Sequence, residues 1–124
     1  MILVDTSVWI AHFGLKREGR YLADLLQTGR QEILTHPFVI GELSLGGLSA
    51  PTRTLLNGLE FATVAESDEV QLLIEQRLAG RGIGYVDAHL LASARLIQAG
   101  LWTLDDKLAA VAAKLGVGYQ PATH

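Results

Sequence analysis

The chain has 124 residues, of which 49% are hydrophobic and 19% charged, with a net charge of -3. A chain of this length and composition buries a core without metal or disulfide staples, which argues against disorder. The sequence lacks cysteine, which excludes disulfides, thiolate zinc sites and cysteine nucleophiles, and the acidic balance means that nucleic-acid binding would need basic patches or metal ions.

Strands and helices alternate in the first part of the chain. ILV at 2–4 predicts a strand, and the spacing of apolar residues over 19–28 predicts a helix that ends at a glycine. EILT at 32–35 predicts a second strand. The stretch 36–47 has a proline near its start and a glycine pair at its end, which predicts another helix.

The same alternation continues in the middle of the chain. A short helix is predicted at 51–59 and a third strand at 61–64. The stretch 67–78 begins with a serine and two acids and continues as an apolar-periodic run, which predicts a capped helix. Apolar residues on one face of 86–100 predict the clearest helix, which closes at a glycine.

The last predicted elements are a strand at 101–104, a helix at 105–116 and a strand at 117–119. Strands alternating with helices predict an α/β fold, a three-layer α/β/α sandwich with a central parallel sheet. No linker, repeat, signal peptide or membrane-spanning run is visible. We therefore expect one soluble, cytoplasmic domain over residues 1–124, with no membrane partner.

Acidic residues recur where these elements begin or end. They are Asp5 after the first strand, Glu42 in the helix at 36–47, Asp87 at the start of the clearest helix, and Asp105 after the strand at 101–104. The carboxyl ends of parallel strands meet at one edge of a sheet, so these acids can converge there. Carboxylates that share a pocket repel unless a cation compensates, and all-oxygen ligation favours Mg²⁺ or Mn²⁺ over zinc.

Each acid also has a structural explanation. An aspartate at a helix start is a preferred cap worth about 1 kcal/mol, so Asp87 and Asp105 are caps or ligands. Glu42 has apolar helical neighbours, among them Phe38 and Leu45. Its carboxylate therefore either extends to the helix edge or needs a partner or a metal ion.

Four segments resemble the acidic motifs of PIN-domain ribonucleases, and specifically of the VapC toxins of bacterial toxin–antitoxin pairs. They are VDTSVWI at the start, GEL around Glu42, YVDAHLLASA around Asp87 and LWTLDDKL near the end. The resemblance runs in order through nearly the whole chain. It implies a PIN-like fold, a Mg²⁺-dependent (or Mn²⁺-dependent) endoribonuclease, an RNA substrate, a cognate VapB-type antitoxin and a homodimer.

The resemblance also implies roles for individual residues. The implied catalytic and metal-binding residues are Asp5, Glu42, Asp87 and Asp105, of which Asp5 and Asp87 are the closest magnesium ligands. Thr6 or Ser7 would orient a ligand or a bound water, and Glu42 would act as a ligand or a water-positioning base. Asp106 stays an alternative to Asp105, although the family's Thr-x-Asp pattern, here from Thr103, favours Asp105.

Two other functions are open from sequence. Asp5 could itself be phosphorylated, as in a Mg²⁺-dependent phosphotransferase or phosphatase, although a second aspartate two residues later is missing. Alternatively, the acids are caps only, and the chain is a catalytically inactive binding module of the same fold.

Several further residues have two interpretations. Two basic clusters either bind phosphates or form a solvated helix face. They are Lys16, Arg17 and Arg20, and Arg77 and Arg81. Lys107 either reaches the acidic site or pairs with Asp106. GRGIG at 80–84 follows a helix, whereas a dinucleotide loop follows a strand. Trp9 and Trp102 are core or interface residues, and Trp9, Phe13 and Leu15 are candidate contacts for a protein partner.

Overall fold

The computed structural model describes residues 1–121 and contains a four-stranded parallel sheet. Its strands are β1 (Ile2–Val4), β2 (Ile33–Thr35), β3 (Glu60–Phe61) and β4 (Gly100–Trp102). The strand order is β3-β2-β1-β4, so the first strand of the chain lies inside the sheet. In register, Leu3 pairs with Leu34 on one side and with Leu101 on the other.

Helices connect the strands. They are α1 (Thr6–Phe13), α2 (Arg20–Thr28), α3 (Pro37–Leu45), α4 (Ala50–Asn57), α5 (Ser67–Leu73), α6 (Tyr85–Ile97) and α7 (Asp106–Lys114). A 3₁₀ turn at Arg17–Gly19 precedes α2, and a π-helical turn at Ile74–Leu78 continues α5. The predicted three-layer α/β/α arrangement around a parallel sheet is confirmed.

The apolar run of β1 is explained by its position. Ile2, Leu3 and Val4 are all buried, as expected for a parallel strand that is covered on both faces and paired on both edges. Trp9 and Trp102 are both almost fully buried, so they belong to the core, and the proposed role of Trp9 as a partner contact is wrong. Within the described residues, no helix combines the length and the apolar character needed to cross a membrane.

The predicted strand at 117–119 is wrong. Residues 117–119 form an isolated bridge between Gly118 and Leu101 rather than a strand. Gly116, at a φ of 77°, turns the chain at the end of α7, and the Val117 backbone N–H still bonds to the Ala112 carbonyl at 2.9 Å. The segment bonds to β4 only through Leu101, whose N–H donates to the Val117 carbonyl at 2.6 Å and whose carbonyl accepts the Tyr119 N–H at 3.1 Å, so a single bridge forms and not a strand. Three predicted strands are shorter than expected: 32–35 is observed as β2, 61–64 as β3 and 101–104 as β4.

Candidate active site

Asp5 lies at the carboxyl end of the buried central strand. It directly follows β1, occupies the N-cap position of α1 and is only 5% exposed. Its backbone N–H bonds to the Trp102 carbonyl at 2.9 Å, which ties the end of β1 to the end of β4. The apolar run at the start of the chain therefore ends on a carboxylate at the sheet edge where α/β proteins place their ligands.

Two hydroxyls hold the Asp5 carboxylate. Ser7 Oγ donates to Asp5 Oδ2 at 2.8 Å, and Thr103 Oγ1 donates to the same oxygen at 2.7 Å. Each hydroxyl in turn accepts a backbone N–H, Ser7 from Leu104 at 3.0 Å and Thr103 from Asp105 at 3.1 Å. Because both side-chain bonds end on Oδ2, neither hydroxyl occupies Oδ1.

Glu42 lies on α3 and is exposed, although its helical neighbours include apolar residues. Of the two alternatives for this carboxylate, the structure therefore shows extension to the exposed edge of the helix. Leu45, one of those neighbours, is 90% exposed. The partner of Glu42 is Thr6, whose Oγ1 donates to Glu42 Oε1 at 2.7 Å. This bond links the start of α1, one residue after Asp5, to α3.

Asp87 shows that the four acids share one region. The pKa of its carboxyl is raised from 3.8 to about 6, first by burial and then by three neighbouring carboxylates. Those neighbours are Asp5, Glu42 and Asp105. A hydrogen bond from the Gly84 backbone lowers this pKa. A like charge disfavours ionisation of a nearby carboxylate, so residues far apart in the sequence create one negative region in space.

The two aspartates that were candidates for helix caps differ. Gly84, and not Asp87, occupies the N-cap position of α6, and Asp87 lies in the first turn, where the Gly84 backbone hydrogen-bonds to its carboxylate. Asp105 does cap α7, because its Oδ1 accepts the Leu108 backbone N–H at 2.9 Å. Asp105 is also among the carboxylates that raise the pKa of Asp87, whereas Asp106 is not. Asp105 therefore combines a structural role with a place beside the other acids.

The donor chemistry of this region fits a divalent cation. Among residues 1–121, no three carboxylate or imidazole groups lie in an arrangement that could already hold a metal ion. The side chains are nevertheless hard oxygen donors of one charge, and a divalent cation would offset the repulsion that they impose on Asp87. An oxygen-only donor set favours Mg²⁺ or Mn²⁺.

Comparisons with known proteins decide the family. A family model described as PIN domain matches residues 2–114. Ribonuclease VapC32 of Mycobacterium tuberculosis, from strains CDC 1551 / Oshkosh and ATCC 25618 / H37Rv, is 44% identical over 121 residues, which cover 94% of each chain. The chain belongs to the VapC family of PIN-domain proteins. The resemblance of its four acidic motifs to this family is thereby confirmed.

A solved structure supports the fold of this VapC-family chain. The crystal structure of PAE2754 from Pyrobaculum aerophilum matches it with a TM-score of 0.61, covering 89% of this chain and 83% of the other. The two sequences are 20% identical. At this level, the similarity extends to the fold alone.

A histidine pair that the sequence did not single out lies between α3 and α6 of the VapC-family fold. His36 is fully buried and caps α3, because its Nδ1 accepts the Phe38 backbone N–H at 3.0 Å. Since Nδ1 accepts, the proton is on Nε2, which lies 3.2 Å from Ser93 Oγ. Burial, and then His89, lower the pKa of His36 to about 4. The only signal in the sequence was the histidine directly before the proline that begins α3.

Proposed function

We propose that this VapC-family protein is a divalent-metal-dependent endoribonuclease, the toxin of a toxin–antitoxin pair, and that residues 1–124 form one nuclease domain. The observation that carries the proposal is the convergence of Asp5, Glu42, Asp87 and Asp105, which come from four separate parts of the chain. The name of its relative, a ribonuclease, supports RNA as the substrate. Cleavage of RNA by such a protein would take place in the cytoplasm.

Asp5 and Asp87 would be the closest ligands of Mg²⁺ or Mn²⁺, with Glu42 and Asp105 completing the acidic set. Bound divalent ions lower the pKa of a water and offset negative charge that develops on a phosphodiester. Asp5 is suited to this role because Ser7 and Thr103 fix its Oδ2 and leave Oδ1 for a ligand. The short aspartate side chain keeps that oxygen close to the sheet edge.

Glu42 is the candidate for handling the proton of the attacking water. Its Oε1 accepts from Thr6, so Oε2 remains to accept a water proton. The water oxygen would form a bond to phosphorus while the bond from phosphorus to the leaving 3′ oxygen breaks, and that oxygen would take up a proton. This hydrolysis requires no side-chain nucleophile.

The test compares cleavage of total cellular RNA by the wild type and the Asp5→Asn variant, each with Mg²⁺ and with a chelator. We expect cleavage only by the wild type with metal. Asp24→Asn, which removes an exposed acid from α2, serves as the matched control and should cleave RNA normally. A circular dichroism spectrum establishes that each variant is folded. Cleavage by folded Asp5→Asn at the wild-type rate would refute the proposal and favour a binding module.

The phosphotransferase alternative has a distinct outcome. If Asp5 were a phospho-acceptor, incubation with a phosphate donor would leave an acid-stable, hydroxylamine-labile phosphate on the wild type and none on Asp5→Asn. We expect no such label. The double hydroxyl contact on Asp5 Oδ2 supports a fixed ligand rather than a nucleophile that must be exposed.

We also propose a cognate VapB-type antitoxin and a homodimer as partners. Phe13 and Leu15, at the end of α1, are 38% and 88% exposed and remain candidate contacts. Co-expression of the chain with its genomic neighbour, followed by light scattering of the purified material, tests both partners. Retention of the complex by a Leu15→Asp variant would rule out Leu15 as a contact.

A further inference from the structure

Lys107 packs against the glycine-rich loop that precedes α6. A Cβ placed on Gly82 would lie 3.3 Å from Lys107 Cδ and 3.4 Å from its Nζ. Lys107 is exposed and belongs to the first turn of α7, which Asp105 caps. The structure thus favours the loop, rather than pairing with Asp106, as the place where this ammonium group rests.

The loop itself requires glycine. Gly80 and Gly82 have φ values of 78° and 74°, in the left-handed region that side chains rarely adopt. At Gly82, the missing Cβ also leaves the space that the Lys107 stem fills. The GRGIG segment, which has no role as a dinucleotide loop, therefore provides a packing surface for the Lys107 side chain.

The far end of the same loop contacts the acidic site. A Cβ placed on Gly84 would lie 3.6 Å from Asp87 Oδ2. Two residues of extended chain span at most about 7 Å, so Gly82 and Gly84 keep the Lys107 ammonium within about 14 Å of the Asp87 carboxylate. Like the acids, the loop is at the edge where α6 and α7 begin.

This arrangement matters for a negatively charged polymer. The chain carries a net charge of -3, and the acids of the site repel phosphate. A metal ion offsets this charge only where the ion is bound. The next phosphate along an RNA strand needs a separate cation, and lysine binds phosphate as a point charge without reading base sequence.

We propose that Lys107, which packs against Gly82, is a substrate-positioning residue that binds a backbone phosphate of RNA beside the acidic site. The proposal rests on the function proposed above and adds a phosphate subsite on the α7 side. It predicts that Lys107 acts mainly on RNA binding and less on the chemical step.

The test uses the full chain with Lys107→Gln, Lys107→Arg and, as the matched control, Lys114→Gln in the last turn of the same helix. For a single-stranded RNA oligonucleotide, we expect Lys107→Gln to raise KM about 10-fold while kcat changes less. The slope of log binding constant against log salt should fall by about 0.7, the loss of one phosphate contact. Lys107→Arg should restore binding, and Lys114→Gln should resemble the wild type.

Direct binding separates this proposal from the proposed nuclease activity. Fluorescence anisotropy with the same labelled RNA, in the Asp5→Asn background, reports affinity without cleavage. If the wild type does not cleave RNA, the proposed function fails, yet weaker and less salt-dependent binding by Lys107→Gln still supports the subsite. Unchanged affinity and salt slope in Lys107→Gln, or an equal loss in Lys114→Gln, would overturn it.

Discussion

The Thr103 hydroxyl donates a 2.7 Å hydrogen bond to Asp5 Oδ2 across 98 positions of the chain. The two residues are neighbours because β1 and β4 pair in parallel register, with Val4 beside Trp102, and each polar residue comes directly after its strand. Both side chains are buried. The bond orients the carboxylate proposed as a metal ligand and fixes which of its oxygens is left for a ligand.

Replacing Thr103 with valine should weaken metal-dependent cleavage. The change removes the donor to Asp5 and the acceptor of the Asp105 backbone N–H while keeping the shape of the side chain. Loss of a group that orients a metal ligand typically costs roughly 10- to 100-fold in metal affinity or activity. Cleavage measured over a Mg²⁺ titration should show half-maximal activity at a higher metal concentration. Thr103→Ser keeps the hydroxyl and should behave as the wild type, so an identical Mg²⁺ requirement in the valine variant would contradict the role.

Substitutions at Asp105 and Asp106 should separate the effect of charge on cleavage from the effect of helix capping on stability. Asparagine caps helices as well as aspartate does, so Asp105→Asn keeps the bond to the Leu108 N–H and removes only the charge. We expect little change in the free energy of unfolding but a strong loss of cleavage. Asp106→Asn should retain cleavage because Asp106 does not contribute to the field at Asp87. Equal losses of activity in the two variants would show that both carboxylates belong to the site.

A fall in pH should lower the free energy of unfolding because His36 becomes protonated. Its pKa is about 4 in the folded protein and 6.5 when unfolded, so the unfolded chain binds more protons between these values. The stability that this neutral histidine provides is complete above pH 6.5 and is lost as the pH falls towards 4, by about 3 kcal/mol. Protonated Nδ1 can no longer accept the Phe38 N–H. Burial also lowers the pKa of His89, so the wild type must be compared with a variant.

Urea unfolding at several pH values provides that comparison. His36→Asn keeps a side-chain acceptor at the N-cap of α3 and does not titrate. We expect this variant to start from a lower stability, because a buried ring is lost, and to lose less stability between pH 7 and pH 5 than the wild type does. Parallel curves for the two proteins would exclude His36 as the source of the acid sensitivity.

Gly19 should tolerate no side chain. A Cβ at this position would lie 2.3 Å from the Cα and 2.4 Å from the backbone N of His12, so the obstacle is the backbone of α1 rather than a movable side chain. Gly19→Ala should lower the free energy of unfolding by about 3 kcal/mol, the upper end of the cost of overpacking.

Gly41→Ala is the matched control for Gly19. It places the same methyl group in the interior of α3, where no atom lies within 4 Å. Alanine is favoured over glycine in a helix by roughly 0.5–1 kcal/mol, so this variant should be slightly more stable than the wild type. A denaturant midpoint of Gly19→Ala close to that of Gly41→Ala would contradict the packing seen between the 3₁₀ turn and α1.

The fold and the meeting of the acids could be predicted because both follow from local patterns. A continuous apolar run such as β1 is typical of an interior parallel strand, and strand ends of a parallel sheet meet at one edge. The setting of Glu42 could not be predicted, because the helix period does not reveal that Leu45 is exposed or that Thr6 lies within bonding distance.

The strand expected at 117–119 failed for a similar reason. Its apolar residues suit a strand, but the bond from Val117 back to Ala112 depends on how α7 ends. The packing of Lys107 against Gly82 is likewise a contact between residues that are distant in the sequence. Propensity and periodicity describe neighbours along the chain, and such pairings lie outside their reach.

The interior position of β1 has a consequence for biosynthesis. Asp5 leaves the ribosome about a hundred residues before Thr103 and Asp105 do. Until β4 has emerged and docked on β1, the Asp5 carboxylate lacks the hydrogen bond from Thr103. The proposed ribonuclease site therefore assembles only after residues 100–105 have been synthesised.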